Sequence, residues 1–191
     1  MVTGVQTCAL PICTGRMLVI IGDGGVGKTS IVVRYIRDKF TLGYEPTLEN
    51  NYEADIKLPD GNVVKVSIAD TAGQEEYKSL RDNYMSQGDA FIIVYSIVEL
   101  SSLKMTEQLL EQITILKEND PFKFILLGNK CDLADQRQVP TQEGQALADK
   151  YKGLFLETSA MTKVGIEEAF QKIGALLIKN DEKHGGCCNI E

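Results

Sequence analysis

No apolar run in this 191-residue chain approaches the ~20 residues that a bilayer-spanning helix needs. Positive charge is also short: 20 Lys and Arg stand against 27 Asp and Glu, a net charge of −7. Phosphate backbones reward Lys and Arg, so this balance argues against nucleic acid as the main partner. It argues equally against a membrane contact driven by the charge of the body. Cysteines are few and poorly spaced for structural use. Cys8, Cys13, Cys131, Cys187 and Cys188 fit neither a zinc site nor a secreted disulfide framework, and the adjacent pair would be strained if bridged. A reducing, cytosolic compartment is therefore expected. There is no internal repeat and no linker before the tail. At this length, with 43% hydrophobic and 25% charged residues, one domain with a full core is expected.

Residues Val2 to Ile12 read VTGVQTCALPI, with no charge and no helical or strand period. A signal peptide would carry Lys or Arg ahead of its apolar stretch. The string resembles the in-frame translation of a DNA-sequencing adapter. Residues 1–13 are therefore expected to be a non-native leader, a disordered native N-terminus being the alternative. The folded domain is expected over 14–180 and a flexible tail over 181–191.

From Met17 onward, periodicity gives the elements. Met17 to Ile21 is a continuous apolar run, as in a strand buried on both faces. A glycine-rich turn then leads into a helix over about Lys28–Asp38. Tyr52, Ala54, Ile56 and Leu58 alternate with polar residues, Pro59-Asp60-Gly61 turns the chain, and Val64, Val66 and Ile68 continue in a paired strand. Further strands are expected at Ala90–Tyr95, Phe124–Leu127 and Gly153–Glu157. Helices are expected at Leu103–Glu118, at Thr141–Lys150 with Thr141 as N-cap, and along the Ile166, Ala169, Phe170, Ile173, Leu176, Leu177 face. Strands alternating with helices predict an α/β fold, a mostly parallel sheet covered on both faces, with ligands at the strands' carboxyl ends.

Three motifs fall at those ends. Gly22-Asp23-Gly24-Gly25-Val26-Gly27-Lys28-Thr29 matches the phosphate-loop pattern G-x-x-x-x-G-K-[ST], after a buried strand and opening a helix. The glycines let backbone N–H groups converge on a phosphate, and the helix N-terminus adds its dipole. Lys28 is expected to reach the β- and γ-phosphates and the Thr29 hydroxyl to ligate Mg²⁺. Alone, the pattern also fits an ordinary glycine-rich turn. Asp70-Thr-Ala-Gly73-Gln74 follows the hairpin. Asp70 can hold Mg²⁺ through water, the Gly73 N–H can bond a γ-phosphate, and Gln74 can orient an attacking water; a solvated turn with a capping Asp is the alternative. Asn129-Lys130-Cys131-Asp132 comes third. A carboxylate has only acceptors, and guanine offers two donors in a row, N1–H and the 2-amino group, where adenine would face Asp132 with a lone pair. Lys130 can lay its aliphatic stem over the ring. Alone, this motif also fits a plain strand-to-helix loop.

Taken in order, these segments resemble the Ras and Rap proteins, the Ras branch of the small GTPases, from about Leu18 to the C-terminus. The likeness extends through Tyr44-Glu-Pro46-Thr47, Asp70 to Tyr77 (DTAGQEEY), Leu80 to Met85 (LRDNYM) and Glu157 to Ala160 (ETSA). The resemblance implies a P-loop NTPase G domain: a six-stranded, mostly parallel sheet with one antiparallel edge strand and about five helices on both faces. It implies GTP or GDP as bound nucleotide with Mg²⁺, and slow GTP hydrolysis in which Lys28, Thr47 and Gln74 take part. It adds Ser30, Tyr44, Pro46 and Leu133 to the nucleotide contacts. Phe40 would pack against the guanine, Thr47 would complete the Mg²⁺ shell and bond the γ-phosphate, and Ser159 and Ala160 would present backbone to guanine O6. Met161 stands where the family usually has Lys; it can cover an aromatic face without bringing charge. Switch I would run from roughly Thr41 to Asn51 and switch II from Ala72 to about Met85. The implied partners of a monomer are effectors with a Ras-binding-type domain, a guanine-nucleotide exchange factor and a GTPase-activating protein supplying an arginine. Glu45 and Glu49 make switch I acidic and call for a basic partner face.

Cys188-Asn-Ile-Glu191 has the C-a-a-X form and suggests prenylation, although Glu is not a typical last residue and Asn is not aliphatic. One lipid anchors weakly, and Lys179 and Lys183 are opposed by Asp181, Glu182 and Glu191, so Cys187 would be the second site, by palmitoylation. Modification would set the protein at the inner leaflet, on the cytoplasmic face of the plasma membrane; an unmodified tail is the alternative. Two other functions share the phosphate loop. A small-molecule kinase would need a mobile, arginine-bearing lid, for which no insertion is present. A nucleotide-holding scaffold would have no use for Gln74 and Thr47.

Overall fold

In the computed structural model, which describes residues 16–41, 49–71, 78–118 and 122–178, the apolar run after Arg16 is the strand β1 (Arg16–Gly22). Successive strand side chains point to opposite faces. Leu18 and Ile20 accordingly enter one hydrophobic cluster, and Val19 and Ile21 another on the far side of the sheet. The continuous apolar run is thus the signature of a strand with no wet face.

The remaining elements follow in chain order. They are α1 (Lys28–Arg37), β2 (Glu49–Lys57), β3 (Val63–Thr71), α2 (Lys78–Gln87), β4 (Ala90–Ser96), α3 (Leu100–Leu116) and β5 (Lys123–Asn129). A 3-10 turn over Cys131–Gln136, α4 (Thr141–Lys150), β6 (Leu154–Glu157) and α5 (Ile166–Ile178) complete the described domain. The six strands lie in the order β2-β3-β1-β4-β5-β6. All neighbours are parallel except β2 with β3, whose hairpin register runs from Glu49 opposite Thr71 to Lys57 opposite Val63. Helices α1 and α5 contribute to the cluster on one face, and α2, α3 and α4 to the cluster on the other. Across α1 and α5 the Tyr35 and Phe170 rings stack at 3.8 Å and 9°. The chain passes to β3 on one side of β1 and to β4 on the other, so the carboxyl end of β1 is a topological switch point.

Several boundaries differ from the periodicity. β2 begins at Glu49, three residues before the expected alternation, because Glu49, Asn50 and Asn51 join the sheet through backbone pairing to β3 rather than through an apolar face. α2 was not legible as a helix: its sequence KSLRDNYMSQ has little apolar character, and it is held by Met85, fully buried in the second cluster, and by the buried Arg81. Thr141 is not the N-cap of α4. Pro140 occupies that position, and the Thr141 hydroxyl instead donates to Glu157 Oε1 at 2.9 Å, beside the two-pronged pair that Arg137 makes with Glu157 at 2.6 and 2.9 Å. A carboxylate already held in place is a better acceptor for that hydroxyl than the cap it would otherwise fill. The expected leader, Tyr44, Pro46, Thr47, Gly73, Gln74, Cys187 and Cys188 lie outside the described residues.

Candidate functional site

The switch point is closed by the loop from Gly22 to Thr29. At Gly22, φ is +153° and a Cβ would collide with the Val94 carbonyl oxygen of β4. Gly27 caps α1 in the left-handed region at φ +98°, and a Cβ there would lie 2.5 Å from Asn129 Nδ2. Only glycine satisfies both positions. Between them Val26 is fully buried and anchors the loop in the core. A Cβ on Gly24 or Gly25 would meet nothing within 4 Å. The Asp23 carboxylate accepts from the Gly24 N–H at 2.6 Å. No acidic residue lies in the first turn of α1, so the positive end of its dipole is not neutralised from within. Ser30, in that turn, is half-buried.

Lys28 is 6% exposed, and its Nζ donates to the carbonyls of Gly22 (3.1 Å) and Asp23 (2.7 Å). Burial lowers its pKa to about 8, against the opposing pull of Asp70 and Asp23. Asp70, the next-to-last residue of β3, is fully buried. Its Oδ2 accepts from the Thr29 hydroxyl at 2.7 Å, and its Oδ1 has no hydrogen-bond partner. Burial raises its pKa, with Thr29 and Lys28 opposing the shift. A buried carboxylate oxygen without a partner is costly unless a ligand satisfies it. Among the described residues no group of three or more His, Cys, Asp or Glu is gathered. Among the described residues the oxygen donors here are the Asp70 carboxylate and the Thr29 hydroxyl. That donor set fits Mg²⁺, which is held by one or two protein oxygens while phosphates and water supply the rest.

Asn129 ends β5 at 2% exposure. Its Nδ2 donates to the Val26 carbonyl at 2.8 Å, and its Oδ1 accepts from the Ala160 N–H at 3.3 Å and the Thr158 hydroxyl at 3.4 Å. The oxygen and one hydrogen of the amide are therefore used inside the protein, tying the 22–29 loop to the segment after β6. Lys130 follows in the left-handed region at φ +67° and opens the 3-10 turn, with exposed Asp132 in its first turn and half-buried Leu133 next. The Cys131 N–H donates to the Thr158 carbonyl at 3.0 Å, which sets the Lys130–Asp132 corner against the 158–161 segment.

The 158–161 segment is braced by its own hydrogen bonds. The Ser159 N–H is taken by the Val164 carbonyl at 3.0 Å, and the Ser159 hydroxyl accepts from the Thr162 N–H at 3.0 Å. Ser159 is fully buried and has no free backbone donor to offer. The Ala160 N–H makes a long bond, 3.3 Å, to Asn129 Oδ1. Met161 beside it is 52% exposed. Phe40, half-buried beyond α1, packs on the first cluster with the Arg34 guanidinium 6.0 Å from its ring centre. The described site residues thus gather at one pole of the sheet in two parts joined by Asn129: a glycine-rich loop with buried Lys28 and Asp70, and a corner bearing the exposed Asp132. Sequence reasoning missed Arg34, which reaches both Ala160 and Met161; mid-helix between Val33 and Tyr35, it carried no motif.

Comparison with known proteins gives one answer. The family model described as "Ras family" matches residues 17–179. The chain is 44% identical to the Ras-like protein rasC of Dictyostelium discoideum over 80% of its own length and 81% of the relative's. It is 41% identical to Ras-like protein 2 of Mucor circinelloides f. lusitanicus, over 80% and 77%. It is 40% identical to the Ras-related protein Ral-a of Drosophila melanogaster, over 80% and 76%.

The low pKa of Lys28 has a measurable sign. An unfolded lysine titrates at 10.5 and the folded one at about 8, so the unfolded chain binds the extra proton between those values and stability rises with pH there. In urea titrations of nucleotide- and magnesium-free protein, the wild type should gain on Lys28→Met by about 3 kcal/mol in total between pH 8 and 10.5. Parallel pH profiles for the two proteins would contradict the buried, strained lysine.

Proposed function

The chain belongs to the Ras family of small GTPases and is a GTP hydrolase, and from that premise we propose that it acts as a GTP/GDP switch in signal transduction. The observation that carries the site assignment is the buried Asn129 amide, which joins the phosphate loop to the segment that would face the base. The bound triphosphate would draw Lys28 off the Gly22 and Asp23 carbonyls and favour its charged form. The N–H groups of the 22–29 loop and the end of α1 would take the α- and β-phosphate oxygens. Bound beside the Thr29 hydroxyl and the partnerless oxygen of Asp70, Mg²⁺ would supply charge neutralisation as the γ-phosphoryl group leaves. Asp132 would accept from guanine N1–H and the 2-amino group, Ala160 would donate to O6, and Lys130, Phe40 and Met161 would flank the ring.

Thr47, Gly73 and Gln74, with Tyr44 and Pro46 nearby, belong to the segments outside the described residues. In the proposed switch, Thr47 and Gly73 hold the γ-phosphate and Gln74 orients the attacking water. Loss of the γ-phosphate releases those contacts and with them the surface that effectors recognise. The sequence carries no evident arginine finger of its own. The open space over Gly24 and Gly25 would admit one from a GTPase-activating protein, and an exchange factor would reload the site. Lipid attachment at Cys188, with Cys187 as second site, would bring the monomer to the cytoplasmic face of the plasma membrane.

Two substitutions test these roles. Asp132→Asn should move nucleotide preference from GTP toward xanthosine triphosphate by about a hundredfold or more, because the amide now offers a donor where guanine offers one too. Competition binding reads it, and an unchanged preference for guanine would remove Asp132 from the base-reading role. Gln74→Leu should slow single-turnover phosphate release by about tenfold or more, with and without an activating protein. Equal rates in wild type and variant would refute the assignment of Gln74.

A further inference from the structure

Arg34 lies in α1, between the helix's phosphate-facing N-terminus and Phe40. Its Nε donates to the Ala160 carbonyl and its Nη2 to the Met161 carbonyl, both at 2.7 Å. Its Nη1 donates to the Asp38 carbonyl at 3.1 Å. The side chain is 16% exposed, its Nη1 stands 3.5 Å from Asp38 Oδ1, and its guanidinium lies 6.0 Å from the Phe40 ring centre. Three donors of one planar cation thus fix three backbone carbonyls, two of them in consecutive residues more than 120 positions away in sequence. The guanidinium holds all three with donors fixed in one rigid plane, whereas an ammonium is a point charge on a flexible stem that sets the orientation of its acceptors less strictly. The nearby Lys163–Asp38 pair, 3.0 Å apart with 46% and 64% of the side chains exposed, lies at the rim and contributes little. Arg34 is the main polar seam between α1 and the 158–163 segment.

We propose that Arg34 is a positioning residue that locks Ala160 and Met161 against α1, and thereby sets how firmly guanine O6 is held and how slowly nucleotide leaves. Ala160 is restrained from both sides: its N–H by Asn129 and its carbonyl by Arg34. With the carbonyl clamp gone, the Ala160 peptide would rotate out of register with O6 while the 22–29 loop kept its grip on the phosphates. The same clamp holds the carbonyl of Met161, whose half-exposed apolar side chain has no charge of its own to fix its place. This role presupposes the guanine seat proposed above.

The test compares full-length wild type, Arg34→Ala and Arg34→Lys in magnesium buffer. Release of a fluorescent GDP is timed, and affinities are measured for GDP and for 6-thioguanosine diphosphate, which replaces O6 by a much weaker sulfur acceptor and keeps N1–H and the 2-amino group. Loss of two charge-assisted hydrogen bonds should speed GDP release in Arg34→Ala by about tenfold or more, and should weaken GDP at least about fivefold more than the 6-thio nucleotide. Arg34→Lys keeps the charge and most of the stem, so it guards against simple misfolding; it should lie nearer to alanine than to wild type. Unchanged GDP release, or an equal loss of affinity for both nucleotides, would overturn the proposal by leaving Arg34 a merely structural role. A wild type with no preference for GDP over the 6-thio nucleotide would instead overturn the guanine seat itself, and the proposal with it.

Discussion

The Asn129 amide sits between two loops that the sequence separates by more than 100 residues, and both of its polar atoms are used within the protein. Its Nδ2 fixes the Val26 carbonyl at the crest of the phosphate loop, while its Oδ1 takes the Ala160 N–H and the Thr158 hydroxyl. Gly27 is glycine because this side chain occupies the space a Cβ would need. Removing the amide would strand a buried carbonyl and a buried N–H, each at a cost of about 1–3 kcal/mol. The proposed phosphate seat and the proposed base seat are therefore not independent features of the fold. They share one hinge pin at the end of β5.

Electrostatics at the phosphate end follows from burial. Lys28 and Asp70 lie in the same low-dielectric pocket, and desolvation pushes each toward its neutral form. Their mutual attraction and the Thr29 hydroxyl offset this only in part. Such a site favours a ligand that brings both signs of charge: an anionic triphosphate for the lysine and a divalent cation for the carboxylate. Oxygen donors in this small number suit a hard cation that keeps some of its water. The buried pair is an uncomfortable one, which a triphosphate with its metal would relieve.

Much of this was legible in the sequence because the interactions that make the sheet are periodic. β1, β4 and β5 read as apolar runs since both faces are covered, and the phosphate loop is recognisable from glycines that Val94 and Asn129 make obligatory. What was missed depends on partners distant in the chain. α2 rests on Met85 and Arg81 rather than on an apolar stripe. The first residues of β2 pair by backbone alone, and Thr141 gives its hydroxyl to a carboxylate on β6. Arg34 has the same character: an arginine inside a helix carries no local sign that it will hold carbonyls more than 120 residues further along the chain. Asn129 was recognised as part of a base-reading motif, whereas its side chain braces the two loops.

The shared pin can be broken and watched directly. Wild type and Asn129→Ala should be titrated by calorimetry with GDP, ADP and pyrophosphate in magnesium buffer. The account predicts that wild type strongly prefers GDP to ADP, and that Asn129→Ala loses that preference and pyrophosphate affinity together. A variant that binds pyrophosphate as wild type does while losing only guanine affinity, or that keeps guanine preference intact, would contradict it.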